Sequence, residues 1–254
     1  MSERHDIVVI GGGQAGLAMS YCLGQHGREH IVLERARVAE RWHSERWESL
    51  AFQFPNWALR LPGYRYEGDD PDGFANYREV ARFVEDYARA IKAPVRCGAE
   101  VLSLRQDPGS DRLLVETRDK VIEASHVVIA TGPFQRASTP ACSTDVPARI
   151  FQVTANRYRS PEQLPPGAVL VVGSGGSGCQ IAEELYQAGR TVYFSVSRHR
   201  RIPRRYRGRD LTWWALERGV MDTRIDSFPR RRYPPSLVIT GVNGGHDMFH
   251  GPVI

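Results

Sequence analysis

Cysteine is scarce in this chain of 254 residues, and the four present, Cys22, Cys97, Cys142 and Cys179, stand far apart. No C-x-x-C spacing occurs, which excludes a zinc ribbon, an iron–sulfur cluster or a redox dithiol between close sequence neighbours. The eight histidines give no metal pattern either. His246 and His250 have helical spacing but enclose Asp247, Met248 and Phe249, where a zinc protease needs a glutamate. No metal is expected. Long hydrophobic runs are also missing: nothing approaches the ~20 apolar residues of a bilayer-spanning helix. The first residues lead at once into a strand-like run, leaving no room for the apolar segment and cleavage site of a secretory signal. The expectation is a cytoplasmic protein with reduced thiols and no membrane contact. A composition of 41% hydrophobic and 25% charged residues is globular, and the length suits one large domain or two modest ones.

Acidic residues thin out along the chain. Residues 1–150 carry 19 basic and 21 acidic groups, whereas residues 151–254 carry 15 and 8, a net +7. The local source is Arg198, Arg200, Arg201, Arg204, Arg205, Arg207 and Arg209, a density that asks for an anion such as phosphate, nucleic acid or a carboxylate-rich partner.

What is present is one pattern, twice. Residues 6–10 are a β-branched apolar run, followed by Gly11-Gly12-Gly13-Gln14-Ala15-Gly16, a helix-period stretch to about Gly27, and a second strand over 30–34. Residues 168–172, the turn Gly173-Ser174-Gly175-Gly176-Ser177-Gly178, a helix over 179–187 and a strand over 191–195 repeat the order. Between the two units the pattern predicts an irregular segment over 35–73, a helix over 76–91 and short strands near 99–106, 112–117 and 120–123. A parallel-type strand over 126–130 then ends at Thr131-Gly132-Pro133, and residues 134–147 read as a crossover. The fold class expected is α/β: two Rossmann-like, three-layer dinucleotide-binding domains with parallel sheets, over 1–150 and 151–254.

The spacing has a physical reason. A backbone that cradles a pyrophosphate must turn tightly at its first glycine, approach the phosphate at its second and pack helix on strand at its third. The next helix aims its free N–H groups and positive end at the phosphates. Gly11, Gly13 and Gly16, with Gln14 and Ala15 at the helix start, meet the requirement, as do Gly173, Gly175 and Gly178 with Ser174 and Ser177. Glu34, 23 residues after Gly11, is placed to accept hydrogen bonds from ribose hydroxyls and would repel a 2′-phosphate. In the second unit the matching position is read as Ser195, with Ser197 and Arg198 just beyond, a set that welcomes a 2′-phosphate. One ribose-type and one phosphate-type pocket suit FAD in the domain over 1–150 and NADPH in the domain over 151–254.

These residues resemble the flavin-containing monooxygenase superfamily, especially its bacterial single-component flavoproteins. The likeness runs through Val9 to Leu17, Leu33-Glu34, Arg41-Trp42, Arg46 to Leu50, Leu61-Pro62-Gly63, Ala130-Thr131-Gly132, Tyr158 to Pro161, Val171 to Gly178 and Pro203 to Asp210. It implies that NADPH reduces FAD, which then activates O2 to oxygenate a small nucleophilic or ketone substrate. It also implies that Trp42 belongs to a loop covering the flavin, that the strand of Val101 meets the adenine, and that Thr131-Gly132 lies near the FAD phosphates. No catalytic side chain is nominated, because such enzymes protect their oxygenating species by a water-poor pocket. The chain departs from the family where an inter-domain phenylalanine, glycine and histidine are usual: Ala148, Ile150 and Thr154 stand there, with Tyr158 kept. It also ends at Ile254, before the return to the FAD domain that relatives make. The expectation is a truncated flavoprotein with weak FAD retention, or one completed by a homo-oligomer or a partner chain. Three alternatives stay open: a pyridine-nucleotide disulfide reductase, a nucleotide-binding remnant without turnover, and an anion- or nucleic-acid-binding module built on residues 198–209 with Tyr206, Trp213 and Trp214. Nucleic acid is the less favoured partner, since a dinucleotide unit directly precedes the arginines.

Overall fold

The computed structural model describes residues 3–196, 201–202, 204–224, 227 and 238–239. The chain forms two compact units that are interleaved in sequence. The first comprises Met1–Glu45, Trp57–Pro71 and Tyr77–Pro140; the second comprises Arg46–Asn56, Asp72–Asn76 and Ala141–Ile254. Two short segments of the early chain therefore belong to the later unit.

The first unit is built on a six-stranded sheet. Its strands are β1 (Glu3–Ile10), β2 (His30–Leu33), β5 (Val95–Arg96), β6 (Val101–Gln106), β7 (Leu113–Thr117) and β8 (Val121–Ile129), in the order β5-β2-β1-β8-β7-β6. The first four in that order are parallel, while β8-β7 and β7-β6 are antiparallel, so the sheet is mixed where a parallel one was expected. The strands expected over 120–123 and 126–130 are one continuous β8. The reason lies in β1, which reaches back to Glu3 and gives residues 122–126 a partner along its whole length. Alternation in the central strands explains the two apolar layers. Ile7, Val9 and Val32 are buried on one face under Leu23 of helix α1 (Gln14–Gln25), while Val8, Ile31 and Leu33 pack with Val115, Ile122 and Ala124 on the other.

Residues 35–73, expected to be irregular, hold a short helix α2 (Glu40–Ser44) and a hairpin of β3 (Arg60–Leu61) and β4 (Tyr64–Arg65), turned by Gly63 at φ +72°. Helix α3 (Tyr77–Ala90) presents Val80, Ala81, Val84 and Tyr87 to the core at helical spacing. The Tyr87 hydroxyl donates to the Pro62 carbonyl at 3.0 Å, and burial pushes its pKa up to about 12.

In the second unit β9 (Val169–Val172) and β10 (Val192–Ser195) pair in parallel, joined by helix α4 (Gly176–Gln187), which buries Cys179, Ile181, Ala182 and Leu185. Two-residue strands follow: β11 (Arg201–Ile202) pairs in parallel with β14 (Val238–Ile239), and β12 (Arg205–Tyr206) forms a hairpin with β13 (Arg209–Asp210). Helix α5 (Leu211–Glu217) is capped by Asp210, whose carboxylate accepts from the Thr212 N–H at 2.8 Å. The Arg190 guanidinium donates to the carbonyls of Pro165 and Gly167, closing the segment before β9.

Charge ties the start of the first sheet together. Glu3 accepts from both terminal nitrogens of Arg96 at 2.9 and 2.6 Å, is bonded by Lys120, and lies 2.8 Å from His5 Nε2. These partners, Arg96 foremost, hold the Glu3 carboxyl well below the usual carboxylate range. A carboxyl with a depressed folded-state pKa stabilises the fold above the unfolded value, about 4.3, and loses that contribution as pH falls toward the folded value. Glu3→Gln should cost about 1 kcal/mol at pH 7. Melting temperatures measured from pH 7 down to pH 3 should show the gap to the unsubstituted protein narrowing below about pH 4.

Candidate dinucleotide-binding site

The two glycine turns have the same geometry, one in each unit. Gly11 (φ +116°) and Gly173 (φ +101°) adopt the left-handed region that favours glycine. Each donates its N–H to the strand across it, Gly11 to Leu33 O at 2.8 Å and Gly173 to Ser195 O at 3.0 Å. A Cβ at Gly16 would lie 1.9 Å from Gly11 O, and one at Gly178 would lie 1.8 Å from Gly173 O, so the third glycine of each turn is demanded by helix-on-turn packing.

The middle glycines differ in kind. Gly13 (φ −89°, ψ −176°) and Gly175 (φ −74°, ψ 178°) are in extended conformations open to any residue, and a Cβ at either would meet no protein atom within 4 Å. Neither backbone geometry nor packing accounts for glycine there. Gly13 and Gly175 are also the N-caps of α1 and α4. Neither helix has a side-chain cap bond or an acidic residue in its first turn, so the amides of each first turn are left for an anion. Gln14 and Ala15 are exposed at the start of α1, and Ser177 is exposed at the start of α4, while Ser174 is buried within its turn.

Around the first turn the structure gathers Glu34 and Thr131. One Glu34 oxygen accepts from the Gly12 N–H at 2.7 Å and the other from the Ala36 N–H at 3.0 Å. The carboxylate thus braces the glycine turn and keeps lone pairs for an outside donor. Thr131 follows Ala130, whose carbonyl oxygen would lie 2.5 Å from a Cβ at Gly11; Gly132 next to it is at φ +83°. Trp42 lies on α2, not in a loop, and packs on the cluster of Leu17, Ala81, Val84 and Tyr87. Val101 begins β6 with its side chain against the Val8 and Leu33 layer; Gly98 and Ala99, just before it, donate to Ala36 O and Glu34 O.

The second unit corrects one alignment. Leu33, opposite Gly11, is matched by Ser195, opposite Gly173, so the counterpart of Glu34 is Val196 and not Ser195. The position carries no polar group at all. Ser197 and Arg198 lie outside the described residues, as does Arg200. The arginine run is also divided: Arg204 is buried, its Nε bonded to Asp210 at 3.0 Å, and burial lowers its pKa against the opposing pull of Asp210. Arg205, Arg207 and Arg209 are exposed, the last two over the rings of Tyr206 and Trp213.

A separate open cleft of about 680 Å³ lies in the first unit between the β3-β4 hairpin and α3, lined by residues such as Arg60, Tyr64, Arg82 and Phe83. None of its lining residues falls within 11–16 or 173–178. No group of three metal-ligating side chains occurs among the described residues, and no described helix is long and apolar enough to cross a membrane.

Residues 8–218 match the family described as pyridine nucleotide-disulphide oxidoreductase. The chain belongs to that family. It is 38% identical over 229 residues to an uncharacterized CzcO-like oxidoreductase of Geobacillus kaustophilus, across 89% of this chain and 64% of that protein. It is 31% identical over 202 residues to the probable indole-3-pyruvate monooxygenase YUCCA1 of Arabidopsis thaliana, across 76% of this chain and 47% of the relative. A solved flavin-containing monooxygenase from Stenotrophomonas maltophilia superposes with a TM-score of 0.70 at 24% identity, over 95% of this chain and 74% of that one. The chain spans less than two thirds of either relative's length. The family places it among oxidoreductases, the resemblance to flavin monooxygenases is matched by these relatives, and the structural likeness agrees on an α/β fold.

Substitutions at the glycines separate cradle from scaffold. Gly13→Ala and Gly175→Ala should shift stability by no more than about 1 kcal/mol while weakening dinucleotide binding. Gly16→Ala and Gly178→Ala force a methyl into a carbonyl and should cost about 3 kcal/mol or more. Thermal melts paired with nucleotide titrations check both halves; equal destabilisation by all four would refute the distinction.

Proposed function

We propose that the chain is an NADPH-dependent flavoprotein of the monooxygenase type, with FAD held at the glycine turn of the first unit and NADPH at that of the second, the expected division at residue 150 giving way to the interleaved units. The observation that carries the reading is the pair of middle glycines, Gly13 and Gly175, left bare at two matched helix N-termini. The named activities of the relatives support the choice of monooxygenase chemistry. When bound, FAD supplies hydride acceptance from NADPH and electron delivery to O2, one oxygen atom going to a small-molecule substrate and the other to water.

The chain's own residues bind and orient. Gly11, Gly13, Gln14, Ala15 and Gly16 hold the FAD pyrophosphate on the α1 dipole. Glu34, already fixed by Gly12 and Ala36, accepts the adenosine ribose hydroxyls. Thr131 and Gly132 border the same turn, Val101 stands in the strand beside the adenine, and Trp42 supports the wall of α2. Gly173, Ser174, Gly175, Ser177 and Gly178 receive the second pyrophosphate. Val196 offers no carboxylate to hold a 2′-hydroxyl or repel a 2′-phosphate, and Ser197 and Arg198 supply the groups that prefer NADPH.

Disulfide-reductase chemistry is not favoured within the family. All four cysteines are free thiols; Cys179 is buried and its thiol pushed up to about 11, while Cys22, Cys97 and Cys142 are exposed. Free thiols also suit a cytoplasmic setting.

Purified protein supplied with FAD should be yellow and should bleach with NADPH under nitrogen, with NADH at least about tenfold less effective per mole because a 2′-phosphate contact is charge-assisted. Admitting air with a nitrogen, sulfur or ketone panel should restore the colour and give an oxygenated product. A chain that takes up neither nucleotide would end the proposal.

A further inference from the structure

The segment Arg46–Asn56 belongs to the second unit although it precedes that unit's sheet by more than a hundred residues. It lies on the N-terminal turn of α4. Gln180 on α4 brackets Ala51, its Oε1 accepting the Ala51 N–H at 3.2 Å and its Nε2 donating to the Ala51 carbonyl at 3.1 Å. Gln53 comes next, and its Nε2 stands where a Cβ on Gly176, the first residue of α4, would lie only 1.5 Å away. Along its other edge the segment is held by Asp72–Asn76: the Phe52 N–H donates to Ala75 O at 2.7 Å, the Asn56 N–H to Gly73 O at 2.8 Å, and Asn56 Oδ1 accepts from the Ala75 N–H at 2.6 Å.

Arg204 completes this frame. Its Nη2 donates to the Gln53 carbonyl at 2.6 Å, its Nε to Asp210 at 3.0 Å, and its guanidinium lies 4.2 Å from the centroid of the Phe74 ring. Both side chains of the Arg204–Asp210 pair are only 8% exposed. One planar group thus reaches the segment over α4, the neighbouring 72–76 segment and the N-cap of α5 at once, which a lysine ammonium cannot do with the same geometry. A buried, paired arginine among exposed ones, bonded to a backbone carbonyl beside a glycine turn, is built to hold that carbonyl in place.

Resting on the reading of the second glycine turn as the NADPH cradle, we propose that Arg204 is a positioning residue for NADPH: with Gln180, it clamps residues 51–53 over the start of α4 as a fixed wall of that cradle. Arg204 does not touch the nucleotide. Without the clamp the wall moves, the ordering of residues 51–53 must accompany binding, and affinity falls while the FAD cradle in the other unit keeps its own contacts.

The test is isothermal titration of NADP⁺ into FAD-loaded protein, with FAD content and melting temperature recorded for every variant. Arg204→Met should raise the NADP⁺ dissociation constant about tenfold, the loss of one charge-assisted hydrogen bond. Arg204→Lys should recover part of it. Gln180→Ala releases the same segment from a less buried position and should give a several-fold rise even if Arg204→Met fails to fold. Chymotrypsin should cut at Phe52 or Phe54 faster in the folded variants, and saturating NADP⁺ should slow the cut. Dissociation constants within twofold of the unsubstituted protein in folded Gln180→Ala and Arg204→Lys, with an unchanged cutting rate, would overturn the clamp and leave the cradle reading standing. Failure of the unsubstituted chain to bind NADP⁺ would remove both.

Discussion

Each unit depends on a crossing in which a helix passes over its own glycine turn with no space for a methyl group. Gly16 lies against the carbonyl of Gly11, and Gly178 against that of Gly173, at nearly equal separations. This contact sets the angle at which α1 and α4 leave their strands, and so the direction in which their first amides point. The apolar layers of Val8, Val9, Val32 and Leu33 hold the strands, but the crossing aims the helices. Glu34 adds a second constraint in the first unit by tying Gly12 to Ala36, a brace that Val196 cannot supply in the second.

Much of this could be read from the residues because the chemistry is local. The strand–glycine–helix order, the position of Glu34 at the end of the second strand and the helix α3 follow from spacing alone, and the structure has all three. Other features depend on partners distant in sequence. Whether Ser195 or Val196 matches Glu34 is settled by the Gly173 to Ser195 hydrogen bond, a one-residue matter that periodicity cannot resolve. The fusion of two expected strands into β8 follows from the length of β1, and the antiparallel turn-back of β6 and β7 makes the first sheet mixed. The helix α2 and the β3-β4 hairpin are too short to establish a period in the sequence.

The arginine run shows the same limit for charge. Seven arginines within twelve positions read as one basic surface, yet the described ones serve different purposes. Arg204 is internal and neutralised by Asp210; Arg207 and Arg209 lie over aromatic rings at the surface. Only a fold that turns the chain sharply at Arg207 and Gly208, both at positive φ, can separate neighbours in this way. Charge density in sequence is therefore a poor guide to charge density in space when a hairpin intervenes.

The interleaving of the two units also bears on synthesis and on chain surgery. Ala51 must wait for Gln180, 129 residues later, before its N–H and carbonyl find these partners, although Phe52 and Asn56 can already bond to residues 73–75, so the first unit can close on the ribosome with the Ala51 groups unsatisfied. Separating the chain at the junction before β9 would send residues 46–56 and 72–76 away with the wrong fragment, leaving the Arg204–Asp210 pair facing water where a carbonyl and an aromatic ring belong. The later module is continuous in space and discontinuous in sequence, and it can be inherited, moved or expressed intact only together with the module that precedes it.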